Sequence, residues 1–322
     1  MTALYVDDRY RGAHGIGRYA SEVLPRLRPK WQPLGLSGNA HSALDAFRVL
    51  PQLSRDSLVY SPGYGALVRA PRQILTVHDL IHLQTPWPGR AKFEAYYRGP
   101  VRRTVRKAGM VLTVSQTSVR AIREWLRDDA VEVIDAGNGC SEAFRVDGVA
   151  EQASDPYVMF VGNVRHHKNL DVVLRALTIA RDVRLRAVVP QREIAEAAAQ
   201  AAALGIENRV EWLHSVDDEQ LAALYRGAAA TVMPSTIEGF GLPALESVAC
   251  GVPVLFWRGC DAVAEVVGER GWSLESAQDA AEWAETLALA VSSQRRVDPP
   301  LGAHDWDRTA VIISDALERA LA

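Results

Sequence analysis

The stretch PSTIEGFGLPALESVACGVPVL, Pro234 to Leu255, sets two carboxylates, Glu238 and Glu246, eight positions apart around Gly239, Gly241 and Pro243. The strand-like AATVMPS precedes it and the helix-like LPALESVAC follows. Pro243 falls near the first helical turn, where proline is tolerated because its missing N–H would be unpaired anyway. The glycines would leave the N–H groups of Phe240, Gly241 and Leu242 open, and a helix mouth with open N–H groups attracts anions. Carboxylates on either side would accept hydrogen bonds from ligand hydroxyls. The plainer reading is a first-turn glutamate complementing the helix dipole. That reading accounts for one glutamate and leaves the glycines unexplained.

Three further stretches carry chemistry-bearing side chains. FVGNVRHHKNL, Phe160 to Leu170, runs from a strand through Gly162 and Asn163 to a basic cluster and a helix start. Arg165 and Lys168 would stand where a helix N-terminus already favours negative charge, so cations and free N–H groups could hold a diphosphate without metal. Asn169 is expected to be the N-cap. A solvated basic loop is the alternative; the spacing excludes a P-loop. TVHDLIH, Thr76 to His82, puts His78 and Asp79 at the carboxyl end of an apolar strand, where open α/β sheets bind ligands. His78 could bond a sugar hydroxyl or move a proton near neutral pH; a structural His beside a capping Asp is the alternative. His82 has no further ligand nearby to make a zinc site with His78. GAHGIGRY, Gly12 to Tyr19, lacks the dinucleotide spacing, so a plain turn before a helix stays open for Gly15 and Gly17. A ligand with phosphates between two polyol ends, such as a nucleotide-sugar, suits the helix mouth and the basic loop together. DWD at Asp305–Asp307 has the look of a D-x-D metal motif, but it opens the last helical pattern, where Asp is a common N-cap.

These stretches sit in a chain that alternates short apolar runs with helical patterns. ALYVD, SLVYSP, ILTVHD, MVLTVS and VEVIDAG read as strands in the first half, and GRYASEVLPRL, SALDAFRVLPQL, FEAYYRGPVRRTVRKAG and TSVRAIREWLRDD as helices. Pro100 should kink or split the third helix. The pattern weakens at SEAFRVDGVAEQASDP, residues 141–156, and restarts with YVMFVGN, RLRAVVP, RVEWLH, ATVMPS and PVLFW as strands. Several strands are apolar on both faces, as a parallel sheet covered by helices requires. The expectation is an α/β protein of two Rossmann-like domains, residues 1–150 and 151–304, with a last helix at 305–322.

The 322 residues suit about two domains. No apolar run approaches the roughly 20 residues of a membrane span, and MTALYVDD turns acidic too early for a secretory leader. Three scattered cysteines suit a reducing cytoplasm and neither a disulfide frame nor a zinc site. The net charge of −3 hides a split: residues 1–150 carry 21 Lys and Arg against 14 Asp and Glu, whereas residues 151–322 carry 15 against 25. A basic excess this modest, with no recognition motif, argues against nucleic acid. YYRGPVRRTVRKAG, with Arg98, Arg102, Arg103, Arg106 and Lys107 beside aromatics, could lie on an anionic membrane face, or be a solvated helix face.

Taken in order, these residues resemble the retaining glycosyltransferases of family 4, which have the GT-B fold. The resemblance covers most of the chain. GIGRY resembles the family's N-terminal glycine loop and VHDL its active-site histidine segment. VGNVRHHKNL resembles its phosphate loop, EGFGLPALE its E-x7-E signature, AVAEVVGERG its PEVVGDAG segment, and HDWDRTA the entry to its last helix. The resemblance implies two Rossmann-like domains facing across a cleft, the N-terminal one binding acceptor and the C-terminal one the nucleotide-sugar, with the last helix crossing back to the N-terminal domain. It implies that Glu238 contacts donor-sugar hydroxyls, Glu246 the ribose, and Lys168 with the Gly241 and Leu242 amides the diphosphate. His78 would face the sugar and Gly17 would pass close to donor or acceptor. Asn163 departs from the family, many of whose members have arginine there; Arg165 would supply that charge. Ala13 and His14 interrupt the commoner Gly-Gly entry. The implied reaction is metal-free, cofactor-free transfer of a hexose, with mannose from GDP-mannose favoured and UDP- or dTDP-sugars open. The acceptor would be a glycan, a lipid-linked molecule or a small molecule. A nucleotide-sugar epimerase or hydrolase on the same fold, or a non-catalytic nucleotide-sugar-binding subunit, are the competing readings.

Overall fold

The computed structural model describes residues 3–12, 15–40, 42–300, 302 and 304–322. The chain divides into two compact units, Met1–Gly139 with His304–Ala322, and Cys140–Ala303. The division falls ahead of the 150/151 boundary expected from composition. Its physical cause is that Ala143 and Phe144 are buried in the second unit's core. Within that unit the buried Arg226 donates to the carbonyls of Ala143, Arg145 and Val149, so the apparent linker is tied down. Ala13 and His14 lie outside the described residues.

The strands of the first unit are β1 (Leu4–Val6), β2 (Trp31–Pro33), β3 (Leu58–Ser61), β4 (Arg72–Leu75), β5 (Met110–Thr113) and β6 (Glu132–Asp135). They pair in parallel in the order β2-β1-β3-β4, with β5-β6 alongside. A parallel bridge from Thr76 to Leu112 and the Val77 N–H on Leu112 O join the two sets. The short β2, which ends on Pro33, has no counterpart in the sequence expectation. SALDAFRVLPQL was expected to be a helix but forms only a 3-10 turn, Ala43–Phe47. Leu44, Phe47 and Val49 are exposed there while Ala46 is buried and Leu50 and Leu53 pack on a core cluster, so the covered apolar positions do not form one helical stripe and helical periodicity gains little. Pro100 is absorbed by a π-helical turn, Tyr97–Val101, between the helices Arg90–Tyr96 and Arg102–Ala108.

The last helix, Trp306–Leu321, belongs to the first unit, where it buries Trp306, Ala310, Ile313 and Leu317. Asp305 caps it, accepting from the Asp307 N–H at 2.9 Å, and Asp307 pairs with Arg26 at 3.0 Å. The D-x-D pattern is thus a helix cap.

The second unit is one parallel sheet of β7 (Tyr157–Val161), β8 (Arg184–Val188), β9 (Val210–Leu213), β10 (Ala230–Met233), β11 (Val254–Trp257) and β12 (Gly271–Leu274), in the order β12-β11-β10-β7-β8-β9. Val158, Phe160, Leu185, Ala187, Val232 and Leu255 are fully or almost fully buried, which is why these strands read as continuous apolar runs. The chain leaves β7 toward β8 on one side and later returns to place β10 on the other. The strand order therefore reverses at β7 and β10, and the loops leaving their carboxyl ends lie at the switch point, the crevice position where such sheets bind ligands. Among the described residues no helix is long and apolar enough to cross a membrane.

Candidate active site

The two loops at that crevice, residues 162–169 after β7 and 234–241 after β10, contain most of the residues singled out by sequence. They are stitched together. The Thr236 N–H donates to His167 O at 2.8 Å, and the Thr236 hydroxyl reaches the same oxygen at 3.3 Å. Lys168 Nζ donates to Glu238 Oε1 at 2.6 Å, with both side chains mostly buried. A cation and an anion expected to serve different parts of one ligand thus stand in direct contact. Partial burial strengthens their attraction and makes either charge costly without the other.

The loop after β7 is shaped by its own side chains. The Gly162 N–H donates to Val188 O at 3.1 Å, which anchors the loop's start beside β8. Asn163 Oδ1 accepts from the Arg165 N–H at 3.2 Å, an Asx turn, so Asn163 bends the chain where the sequence resemblance implied a cation. Glu193 Oε2 accepts from the Val164 N–H at 2.9 Å. The Arg165 side chain is exposed, and among the described residues no carboxylate lies in ion-pair range of it. His166–Lys168 form a 3-10 turn. Burial and the adjacent Lys168 ammonium both lower the His167 pKa, so its ring is neutral near pH 7.

Asn169 corrects one expectation. It holds the N-cap position of the helix Leu170–Ile179, but its side chain makes no capping bond. Its backbone is left-handed, φ 53° and ψ 33°. Its Nδ2 instead donates to Pro234 O at 3.2 Å and Ala277 O at 2.7 Å, while Oδ1 accepts from Gln278 Nε2 at 3.1 Å.

After β10, Gly241 precedes the helix Leu242–Ala249 with φ 101°, a conformation that side chains other than glycine rarely adopt. A Cβ on it would also lie 3.3 Å from Val263 Cγ2. The Ala244 and Leu245 N–H groups turn back on Gly241 O, and Pro243 has none to offer. Among the described residues no acceptor meets the Gly241 or Leu242 N–H, which leaves donors directed off the helix start. Phe240 is buried beneath them. Glu246, one turn in, is buried and accepts from the Tyr225 hydroxyl at 3.1 Å; burial and this carboxylate raise the Tyr225 pKa far above its ordinary value. Cys260, ahead of the next helix, is pushed up to about 12 by burial and then by Glu238, so it is a packing thiol and no nucleophile.

Gly17 and His78 belong to the first unit. Gly17 lies in the helix Ile16–Val23, and a Cβ there would come within 2.6 Å of the Arg11 carbonyl carbon. Close backbone packing is thus sufficient reason for the glycine. Two residues on, the Tyr19 ring meets the His78 ring edge-on, centroids 4.7 Å apart. His78 Nε2 lies 2.9 Å from Pro62 O. A carbonyl only accepts, so Nε2 carries the proton and Nδ1 of the neutral ring is the acceptor. Burial lowers the His78 pKa, against the opposing pull of Pro62 O and Asp79. The structure does not bring His82 to a metal set: its ring packs on Tyr97, 4.4 Å between centroids, and on Phe93 at 5.1 Å. Among the described residues no three His, Cys, Asp or Glu side chains converge on a common point.

Comparison with known proteins bears on the crevice directly. The family model "Glycosyl transferases group 1" matches residues 145–300, which include both loops. Residues 145–300 are a glycosyl transferases group 1 domain. The chain is 28% identical over 233 residues to the O-antigen chain mannosyltransferase RfbU of Salmonella typhimurium, covering 71% of this chain and 62% of that protein. It is 36% identical over 186 residues to a D-inositol 3-phosphate glycosyltransferase of Nocardiopsis dassonvillei, covering 51% of this chain and 43% of that protein. The matches thus span less than two thirds of these relatives' length. Among solved structures, WaaG, a glycosyltransferase involved in lipopolysaccharide biosynthesis, superposes with a TM-score of 0.66 at 13% identity, covering 99% of this chain and 98% of that one. Sucrose-phosphate synthase of Thermosynechococcus elongatus gives 0.62 at 20% identity, covering 81% and 73%. With its two parallel-sheet Rossmann-like units, the fold is GT-B. Within the group 1 domain, sequence reasoning missed Glu193, Thr236, Tyr225, Ala277 and Gln278. Each acts through one contact distant in sequence, and no local pattern marks it.

Proposed function

We propose that this chain transfers a hexosyl group, mannose in the first instance, from a nucleotide diphosphate sugar to an acceptor hydroxyl, with retention and without metal. The observation that carries the reading is the crevice between β7 and β10. There a lysine–glutamate pair, Lys168 and Glu238, adjoins a helix start whose Gly241 and Leu242 amides have no acceptor among the described residues. In this reading the diphosphate takes the amides and the Lys168 ammonium. Negative charge grows on the leaving diphosphate as the glycosidic bond breaks, and donors fixed beforehand stabilise it without reorganisation cost. Glu238 then exchanges part of its bond to Lys168 for the sugar hydroxyls, and Glu246, held by Tyr225, accepts from the ribose. Arg165, exposed at the loop's tip, adds positive potential. His78 is assigned to turnover from the sequence resemblance, with Nδ1 as its accepting atom. The acceptor is a glycan, a lipid-linked molecule or a small molecule, and the chain works in the cytoplasm, in peripheral contact with an anionic membrane face through the basic residues around Arg102.

A transfer assay with GDP-mannose, UDP-glucose and dTDP-rhamnose over a panel of glycan and lipid-linked acceptors tests this. The expected result is nucleoside diphosphate release that depends on acceptor and yields a glycosylated product. Release without acceptor would make the chain a hydrolase. Donor binding with no release under any acceptor would make it a binding subunit.

A further inference from the structure

Asn169 combines two properties that a helix-capping asparagine does not. Its backbone is left-handed, which asparagine tolerates better than other residues with a side chain. Its buried side chain is fully engaged elsewhere, both Nδ2 protons on carbonyls and Oδ1 on an amide. The left-handed turn is what aims the side chain away from its own helix. The partners come from separate loops: Pro234 opens the segment that carries Glu238, and Ala277 and Gln278 follow β12. Asp279 in turn caps the helix Ala280–Ser293, and that helix packs its Trp283 and Leu287 into the core beneath Leu170 and Leu174. The Asn169 side chain therefore joins the loop bearing Lys168, the loop bearing Glu238 and the loop before this helix, adding to the ties that Thr236 makes to His167 O and Lys168 makes to Glu238.

We propose that Asn169 is the positioning residue of the donor site. It does not touch the ligand; it sets the distance between the Lys168 ammonium and Glu238 by tying their loops together. Asparagine satisfies two demands at one position: a left-handed backbone, and a side chain that donates twice and accepts once. Glycine meets only the first demand and alanine meets neither. The inference rests on the donor-site reading above, and the variants separate the two.

Binding of GDP, UDP and dTDP is measured by calorimetry for the wild type, Asn169→Gly, Asn169→Ala, Lys168→Ala and the Asn169→Gly/Lys168→Ala double variant. Amide hydrogen exchange is followed in the same ligand-free proteins. The expected result is that Asn169→Gly weakens the binding nucleotide about tenfold. The same substitution should change nothing further once Lys168 is gone, because neighbours acting through one interaction are not additive. The Thr236 amide, held on His167 O, should exchange faster in Asn169→Gly. Wild-type nucleotide affinity in Asn169→Gly, or effects that simply add in the double variant, would overturn the proposal while leaving the donor site intact. An unchanged Thr236 exchange rate would overturn it whatever the nucleotide does. If no nucleotide binds the wild type, or Lys168→Ala binds as well as the wild type, the donor-site reading itself fails. Asn169→Gly keeps the test open if Asn169→Ala does not fold.

Discussion

At the scale of residues, the site depends on how charges are paired. Lys168 and Glu238 have side chains 14% and 9% exposed, so each screens the other where water reaches poorly. Removing one partner from such a pair leaves an uncompensated charge, typically a loss of about 3–5 kcal/mol when fully buried and less here. Glu238→Leu should therefore lower the denaturant midpoint more than Lys168→Met/Glu238→Leu does, which urea titrations would show. Lys168→Ala should cut kcat/KM by about 10²–10³, the usual effect of losing one preorganised stabilising donor. Loss of only a fewfold would remove Lys168 from the chemistry. His82 supplies a pH prediction in the first unit. Burial lowers its pKa from 6.5 to about 4. Between those values the unfolded chain binds a proton that the native chain does not, so stability rises with pH. It is full above about 6.5 and is lost as pH falls toward 4, a swing of up to about 3 kcal/mol. His82→Phe, which keeps the aromatic packing, should flatten that acid limb in thermal melts recorded from pH 7 to pH 4. An unchanged limb would assign the acid sensitivity to other groups.

At the scale of elements, the site is a property of two turns. Strand, turn and helix recur at Phe160–Leu170 and again at Met233–Leu242, and that recurrence singles out Lys168, Glu238, Gly241 and Glu246 as candidates in the sequence. The chemistry of each turn is local, so sequence carries it. What joins the turns is not local: Asn169 bonds residues 65 and 108 positions away. From sequence it looked like a helix cap, because the cap and the latch require the same residue type. The short strand β2 and the unformed helix at 42–53 were illegible for a related reason. Three residues of strand, or a segment whose covered apolar positions do not line up on one helical stripe, are decided by neighbours and not by pattern. Gly241 gives a prediction at this scale. Gly241→Ala forces a side chain into φ 101° against Val263, so it should cost about 1–3 kcal/mol and reduce donor affinity by displacing the Leu242 amide. A calorimetric titration beside a thermal melt would separate the two effects. A variant with wild-type values in both would contradict the assigned role of the turn.

At the scale of the whole molecule, chain order and structural unit do not coincide. The last helix follows the second unit in sequence but completes the core of the first, burying Trp306, Ile313 and Leu317. Each such side chain contributes about 1.5–3 kcal/mol on burial. A chain ending at residue 303 should therefore lose the melting transition of the first unit while keeping that of the second, which has two buried clusters of its own. The charge split by sequence halves, basic then acidic, follows these units closely, because only residues 140–150 and the segment from His304 change sides.

The proposed function requires the crevice between β7 and β10 to be a nucleotide diphosphate sugar site in which Lys168 meets the diphosphate. Calorimetric titration of the wild type and Lys168→Ala with GDP-mannose, UDP-glucose and dTDP-rhamnose tests it most directly. One of these sugars is predicted to bind the wild type and to lose at least tenfold in affinity in Lys168→Ala. Equal affinity of that sugar for both proteins, or no binding to either, would contradict it.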